Sequence, residues 1–310
     1  LELSLYRVIR IPKGDGRLRI IHAPNDALKE KQRTYLENER RTGIRFPRRI
    51  TAFLRKRGIR EAAAPHVGKS FVVGIDIKDF FHHVTPGHVL RAMQFDRLLP
   101  GEIETRTESL KERDWKRAVP PIGLMDLAFI PSPREPGEYC LPQGSPLSPF
   151  LAAWVSKAID FKIAKMIRNQ KIDAVHTIYA DGIFVSSDDR RVIPMAIHGV
   201  ERILASEGFQ VNRKKLKVMR RSVSQRVCGV VVNEHLTVPK AKRHEIRGRL
   251  HNLYMDAKAD KGVDIKEFNY VQGYMAFAGH LDPPWAERLE PQLRYVRLYL
   301  FQHTSLPKEE

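Results

Sequence analysis

The sequence predicts an α+β fold, and three observations carry that prediction. The near-continuous apolar run Ser70-Phe71-Val72-Val73-Gly74-Ile75 reads as a central buried strand that delivers Asp76 at its end. Apolar residues on both sides of Asp181-Gly182, from Val175 to Val185, read as a tight β-hairpin, because Asp-Gly suits a two-residue turn with positive φ at both central positions. Helical periodicity then covers much of the remaining chain, and from Pro239 onward it is the only pattern.

In chain order, residues 5–22 read as two short strands around Lys13-Gly14-Asp15-Gly16. This basic hairpin is either a cover for a triphosphate or an exposed edge protected by charge. Ala27 to about Arg40 is helical, with Leu28, Gln32, Tyr35 and Leu36 on one face, and a basic, irregular stretch follows. The strand at 70–75 leads into Phe80-Phe81. Residues 96–139 are rich in Pro and charge, with a helix expected near 103–118. Ser148-Pro149 reads as an N-cap followed by the residue tolerated at the first helical position. Leu151, Val155, Ile159 and Ile163 then recur every four residues, as on a helix packed against a sheet. After the 175–185 hairpin comes a helix from Ile193 to Glu207 that Gly208 ends. Val227 to Asn233 reads as another apolar strand. In the helical C-terminal part, Ile246, Leu250 and Leu253 share one face, with Lys242, Arg243, Arg247 and Arg249 around it, and a domain boundary is expected near residue 236.

Composition narrows the function. A chain of 310 residues with 42% hydrophobic content supports a sizeable core, and its formal charge of +18 calls for a polyanionic partner, most simply nucleic acid. Residues 29–61 hold twelve Lys/Arg against four Glu, and residues 213–226 hold seven Lys/Arg and no acid, so two stretches carry 15 of the 18 excess charges. Attraction to a membrane surface is the main rival to phosphate binding. No apolar run reaches about 18 residues, and no secretory leader is visible, so no membrane span is expected. Cys140 and Cys228 fit neither a metal spacing nor a disulfide framework, which suits a reducing cytoplasm.

Two aspartates on neighbouring strands, about 4.8 Å apart, form a minimal cradle for divalent cations, which prefer carboxylate and water oxygens. Asp76 and Asp181 can meet in this way, whereas Asp79 reads as a surface or cap residue. Such a cradle suits phosphoryl transfer, where two ions hold the attacking and leaving oxygens in line.

Several ordered motifs extend this reading. They include Lys13 with Arg17-Leu18-Arg19-Ile20, Ala63-Ala64-Pro65-His66, Asp76 to Phe81, Leu141 to Pro149 and Tyr179-Ala180-Asp181. Further along come Asn212 with Lys214-Lys215, Ser224 to Gly229 and Glu245-Ile246-Arg247. Together they resemble bacterial reverse transcriptases, retron enzymes in particular, over about residues 6–300. The resemblance implies a right-hand polymerase: fingers at 1–70 with 96–139 as a further insertion, a palm at 71–95 and 140–235 around a small antiparallel sheet, and a helical thumb at 236–310. It implies RNA-directed DNA synthesis by a nucleotidyltransferase with two Mg²⁺ ions, Mn²⁺ being a substitute. Asp76, Asp181 and the Ile77 carbonyl would be metal ligands. Lys13 and Arg19 would grip the triphosphate, Gln143 would contact the incoming deoxynucleotide, and Lys215 would lie near the leaving pyrophosphate. Phe81, otherwise an ordinary core aromatic, would exclude a 2′-hydroxyl. Arg213, Lys214, Arg226, Gly229, Arg243 and Arg247 would line the path of an RNA template and RNA–DNA duplex, and His66 is either a turn histidine or an RNA contact. The implied partners are a structured RNA, dNTPs and an effector or accessory protein of an antiviral defence system, with no membrane.

Three positions depart from the family pattern. Ala62 and Cys228 replace the usual Asn and Thr and bear on the retron subtype. Gly182 replaces the second aspartate of the hairpin pair and removes a negative charge from the cradle. Asp188 and Asp189 lie roughly 20 Å further along the strand and cannot take its place. A silenced polymerase fold acting as an RNA-binding scaffold is therefore a rival, and an RNA-dependent RNA polymerase is a second. Intron-associated, CRISPR-associated and abortive-infection reverse transcriptases are alternative subtypes.

Overall fold

The computed structural model describes residues 3–12, 16, 18–41, 44–96, 122–133 and 135–304. Lys13 and the helix expected near 103–118 lie outside them. The elements, in order, are β1 (Tyr6–Pro12), β2 (Leu18–Pro24), α1 (Asp26–Arg41), α2 (Ile59–Ala63), β3 (Phe71–Asp76), α3 (Phe80–His83), α4 (Pro86–Asp96), α5 (Ile122–Ala128), β4 (Ile130–Pro131) and β5 (Tyr139–Cys140). Then follow α6 (Ser148–Asn169), β6 (Val175–Tyr179), β7 (Gly182–Ser187), α7 (Val192–Ser206), β8 (Lys217–Arg220), β9 (Arg226–Val227), β10 (Val230–Val231), α8 (Lys240–Lys258), α9 (Ile265–Leu281), α10 (Pro283–Glu287) and α11 (Glu290–Thr304).

The centre is a four-stranded antiparallel sheet in the order β6-β7-β3-β8. Alternation along β3 sends its side chains into two different cores. Val73 and Ile75 join Ile178, Ile183, Leu151, Val155, Ile159, Ile163 and Leu204 on one face, under α6 and α7. Val72 joins Ala62, Ala63, Val230, Ile246, Leu250 and Val271 on the other, together with the C-terminal helices. Coverage of both faces explains why the strand reads as an uninterrupted apolar run. The basic tract after Asn212 includes β8, an edge strand whose exposed Lys217 and Arg220 disfavour pairing with another chain.

Four local expectations change. Ser148 is the first residue of α6, not its cap. Leu147 holds the N-cap position, and Ser145 Oγ accepts from Leu147 N–H at 3.1 Å while donating to Gln32 Oε1 at 3.0 Å. The stretch Val227–Asn233 is not a single strand. Cys228 (φ +51°) and Gly229 (φ +84°) form a two-residue turn between β9 and β10. In the β6–β7 hairpin, Tyr179 pairs with Gly182, so the turn residues are Ala180 (φ +54°) and Asp181, one step earlier than Asp-Gly chemistry suggests.

The fourth change concerns His66, which is fully buried and cannot contact RNA from where it stands. Its Nε2 lies 2.8 Å from Thr177 Oγ1 and its Nδ1 2.7 Å from Ser186 Oγ. Thr177 Oγ1 spends its hydrogen on the Ala62 carbonyl at 3.0 Å, so it accepts from His66 Nε2–H, and Nδ1 accepts from Ser186. The imidazole is thus a neutral clamp between α2 and the sheet. Among the described residues no helix is long and apolar enough to cross a membrane.

Burial, followed by repulsion from His176, depresses the His66 pKa from 6.5 to about 3. Between those values the unfolded chain binds the extra proton, so folding stability should fall with decreasing pH by about 1.4 kcal/mol per unit below about pH 6.5. Urea denaturation at pH 7.5 and 5.5 checks this, with His66→Gln expected to lose that increment of pH dependence.

Candidate functional site

The register of β3 on β7 runs from Phe71 opposite Ser187 to Asp76 opposite Gly182. It brings the end of β3 beside the β6–β7 turn, where Ile77 N–H donates to the Asp181 carbonyl at 2.8 Å. Asp76 and Asp181, some hundred positions apart in sequence, therefore stand side by side, both half-buried. Asp76 is held on several sides. Lys215 Nζ lies 3.1 Å from its Oδ1, Asn212 Nδ2 donates to its Oδ2 at 3.3 Å, and Asn212 N–H donates to its carbonyl at 2.8 Å. A short 3₁₀ turn, Arg213–Lys215, presents Lys215 to this carboxylate.

Asp181 has its carboxyl pKa pushed up, first by burial and then by the neighbouring Asp76, while Lys215 and Arg19 draw it back down. Arg19 belongs to β2, so the β1–β2 hairpin reaches this site. The hairpin is fixed to the loop before α6, where His22 N–H donates to the Gln143 carbonyl at 2.6 Å. Gly144 makes that approach possible: its φ is +118°, and a Cβ there would lie 2.7 Å from Ile21 Cγ2 and 2.8 Å from the His22 carbonyl oxygen. Gln143 is thereby brought alongside Arg19's strand.

A cleft of about 700 Å³ opens here, lined by Asp76, Gly182, Phe184, Lys215, Arg226 and Gly229. Phe81 follows Asp79, whose φ of +47° marks the bend into α3, and its half-buried ring packs edge-on against Phe53 and Phe80 at 6.1 Å. Arg213 is turned to Glu201 at 3.0 Å, and Lys214 is exposed. Arg243 and Arg247 line a different concavity, of about 370 Å³, with Lys240, His244, Trp285 and Arg288. In the sequence Asn212 stands out only as part of a motif with Lys214-Lys215, with no role attached, and Phe184 and Gly74 do not stand out at all, because a strand Gly or Phe carries no periodic signal.

Two adjacent carboxylates that repel each other in a partly enclosed site suit a hard divalent cation, which would relieve the repulsion. Among the described residues no group of three or more His, Cys, Asp or Glu stands together to hold a metal, so the remaining donors would be backbone or water oxygens.

Comparison with known proteins supplies the family. Residues 11–232 match the family model described as reverse transcriptase (RNA-dependent DNA polymerase). The chain is 32% identical over 291 residues to the retron Mx65 reverse transcriptase of Myxococcus xanthus, covering 92% of this chain and 63% of that protein. It is 25% identical to the retron Ec86 reverse transcriptase of Escherichia coli, over 92% of this chain and 79% of the relative. The chain thus spans less than two thirds of the Mx65 protein. Among solved structures, apo telomerase from Candida tropicalis superposes with a TM-score of 0.51 at 10% identity, covering 94% of this chain and 63% of that one. A foamy viral protease–reverse transcriptase in complex with double-stranded DNA gives 0.50 at 15% identity, covering 95% and 42%. These two likenesses bear on the fold, which is that of a reverse-transcriptase polymerase. With a family model spanning most of its length and relatives among the retron reverse transcriptases, the chain belongs to the reverse transcriptase family and is a bacterial, retron-like member of it.

Proposed function

We propose that this chain is an RNA-directed DNA polymerase of retron type, which binds a structured RNA and adds deoxynucleotides to a primer 3′ end. The observation that carries the reading is that Asp76, which lines the cleft, stands beside Asp181, with Lys215 and Arg19 close enough to act on that carboxyl. Mg²⁺ ions bound by Asp76, Asp181 and the Ile77 carbonyl, with Mn²⁺ as a substitute, would hold the attacking and leaving oxygens in line and offset their charge. The chain's own groups bind and orient. Arg19 and Lys13 take the triphosphate, Gln143 positions the incoming nucleotide, and Lys215 neutralises charge at the pyrophosphate. Phe81 excludes a 2′-hydroxyl, and the Cys228-Gly229 turn with Arg226 supports the primer end. In this reading residues 1–70 and 96–139 act as fingers, 71–95 and 140–235 as palm, and 236–310 as thumb.

The basic concavity on α8 supports nucleic-acid binding by the thumb. Lys240, Arg243, His244, Arg247 and Arg288 converge on it, and among the described residues no carboxylate pairs with them. Arg213, being bound to Glu201, is the weaker candidate for a phosphate contact. A second reading, an RNA-binding scaffold that does not synthesise DNA, is favoured by one observation: Gly182 leaves a single carboxylate on the hairpin.

Primer extension on an RNA template with Mg²⁺ or Mn²⁺ separates the two. Extension is expected from this chain, reduced by about 10²–10³-fold in Asp76→Asn and Asp181→Asn. RNA binding with no extension would establish the scaffold instead. Phe81→Ala should admit ribonucleotides in competition with deoxynucleotides, and unchanged sugar selection would remove Phe81 from its assigned role. In salt titrations of duplex binding, Arg243→Gln and Arg247→Gln should each reduce the log–log slope by about 0.9.

A further inference from the structure

Gly182 is a glycine that its backbone does not require. It starts β7, paired with Tyr179 on one side and Asp76 on the other, and its φ lies outside the left-handed region. An aromatic ring lies close to it. Phe184, two residues along on the same face, stands directly across the ladder from Gly74. A Cβ at Gly182 would lie 3.1 Å from Phe184 Cε2 and 3.3 Å from the Tyr179 carbonyl oxygen. A Cβ at Gly74 would lie 3.4 Å from Phe184 Cε1. One aromatic ring thus covers two glycines on adjacent strands, beside Asp76.

The ring has little room to yield within the sheet. The His66 ring meets it edge-on at 6.4 Å, and its inner side packs against the core shared with the C-terminal helices. The cleft is its open direction. A Cβ at 182 therefore crowds the ring and shifts it toward the space in front of Asp76.

We propose that Phe184 is a positioning residue that determines what position 182 can carry, so that Gly74, Gly182 and Phe184 form one packing unit built around a single hairpin carboxylate. A second carboxylate at 182 competes with the ring for this site and is better accommodated when the ring is reduced. The metal consequence rests on Asp76 and Asp181 being metal ligands, and the packing unit stands without that reading.

A double-mutant cycle tests both parts. Gly182→Ala adds only the Cβ. It should lower the melting temperature by about 1–3 °C in the parent chain and raise it by a similar amount in a Phe184→Val background, where alanine is the better strand residue. Additive shifts, or a stabilising Gly182→Ala in the parent chain, would overturn the proposal. Calorimetric titration with Mn²⁺ of Gly182→Asp, alone and combined with Phe184→Val, reads the metal arm. The double variant should bind Mn²⁺ at least about tenfold more tightly than Gly182→Asp alone. Equal gain by the single variant would overturn the proposal. The expected sign reversal in melting temperature, with no Mn²⁺ gain in either variant, would uphold the packing unit and overturn the metal-ligand reading.

Discussion

The structure depends on the antiparallel register between β3 and β7. Six residue pairs, from Phe71–Ser187 to Asp76–Gly182, align a strand end with a hairpin turn. Side chains alternate along a strand, so a slip of one residue would exchange Val72 and Val73 between the two cores and move Asp76 to the wrong face. Burial of both valines opposes such a slip. The hydrophobic cores thus fix the register, and the register fixes the distance between two carboxylates that gain nothing by approaching each other.

The mutual repulsion of those carboxylates shapes what surrounds them. Lys215 and Asn212 take the two oxygens of Asp76, and Arg19 acts on Asp181 from a separate sheet. Part of the basic composition is used elsewhere for a different purpose. Arg49 forms a fork with the buried Asp160 at 2.8 Å to each oxygen, and Asp160 also binds His176 at 2.9 Å. Arg57 binds the carbonyls of Phe46, Pro47 and Ile50 and so orders an irregular loop. Of the two basic stretches, the first is partly internal scaffolding. In the second, Lys217 and Arg226 line the cleft together with Lys215. The charge excess therefore overstates the surface offered to a polyanion.

Where local chemistry and tertiary context disagreed, context won in each case. Asp181-Gly182 has the composition of a turn centre, but pairing Gly182 with both Tyr179 and Asp76 draws it into the ladder. Ser148 looks like a cap, yet Ser145, already tied to Gln32, accepts the N–H of Leu147, the residue at the cap position. His66 sits in a polar-looking turn, and the packing of α2 against β6 buries it. Each of these outcomes depends on a partner more than a hundred positions away in sequence or on the opposite strand of a sheet.

The sequence by itself determined the central strand, the two hairpins at 5–22 and 175–185, the main helices, the α+β class and the two aspartates, because apolar periodicity and strand-end carboxylates are local properties of a chain, whereas the short strands β4, β5 and β8 carry no such pattern. Its ordered motifs also pointed to the family. Only the tertiary structure decided that Asn212 and Lys215 bind Asp76, that Gly144 lets the loop before α6 reach β2, and that Gly182 lies under Phe184. Those facts are close approaches between segments far apart in sequence, and their geometry exists only once the sheet has closed.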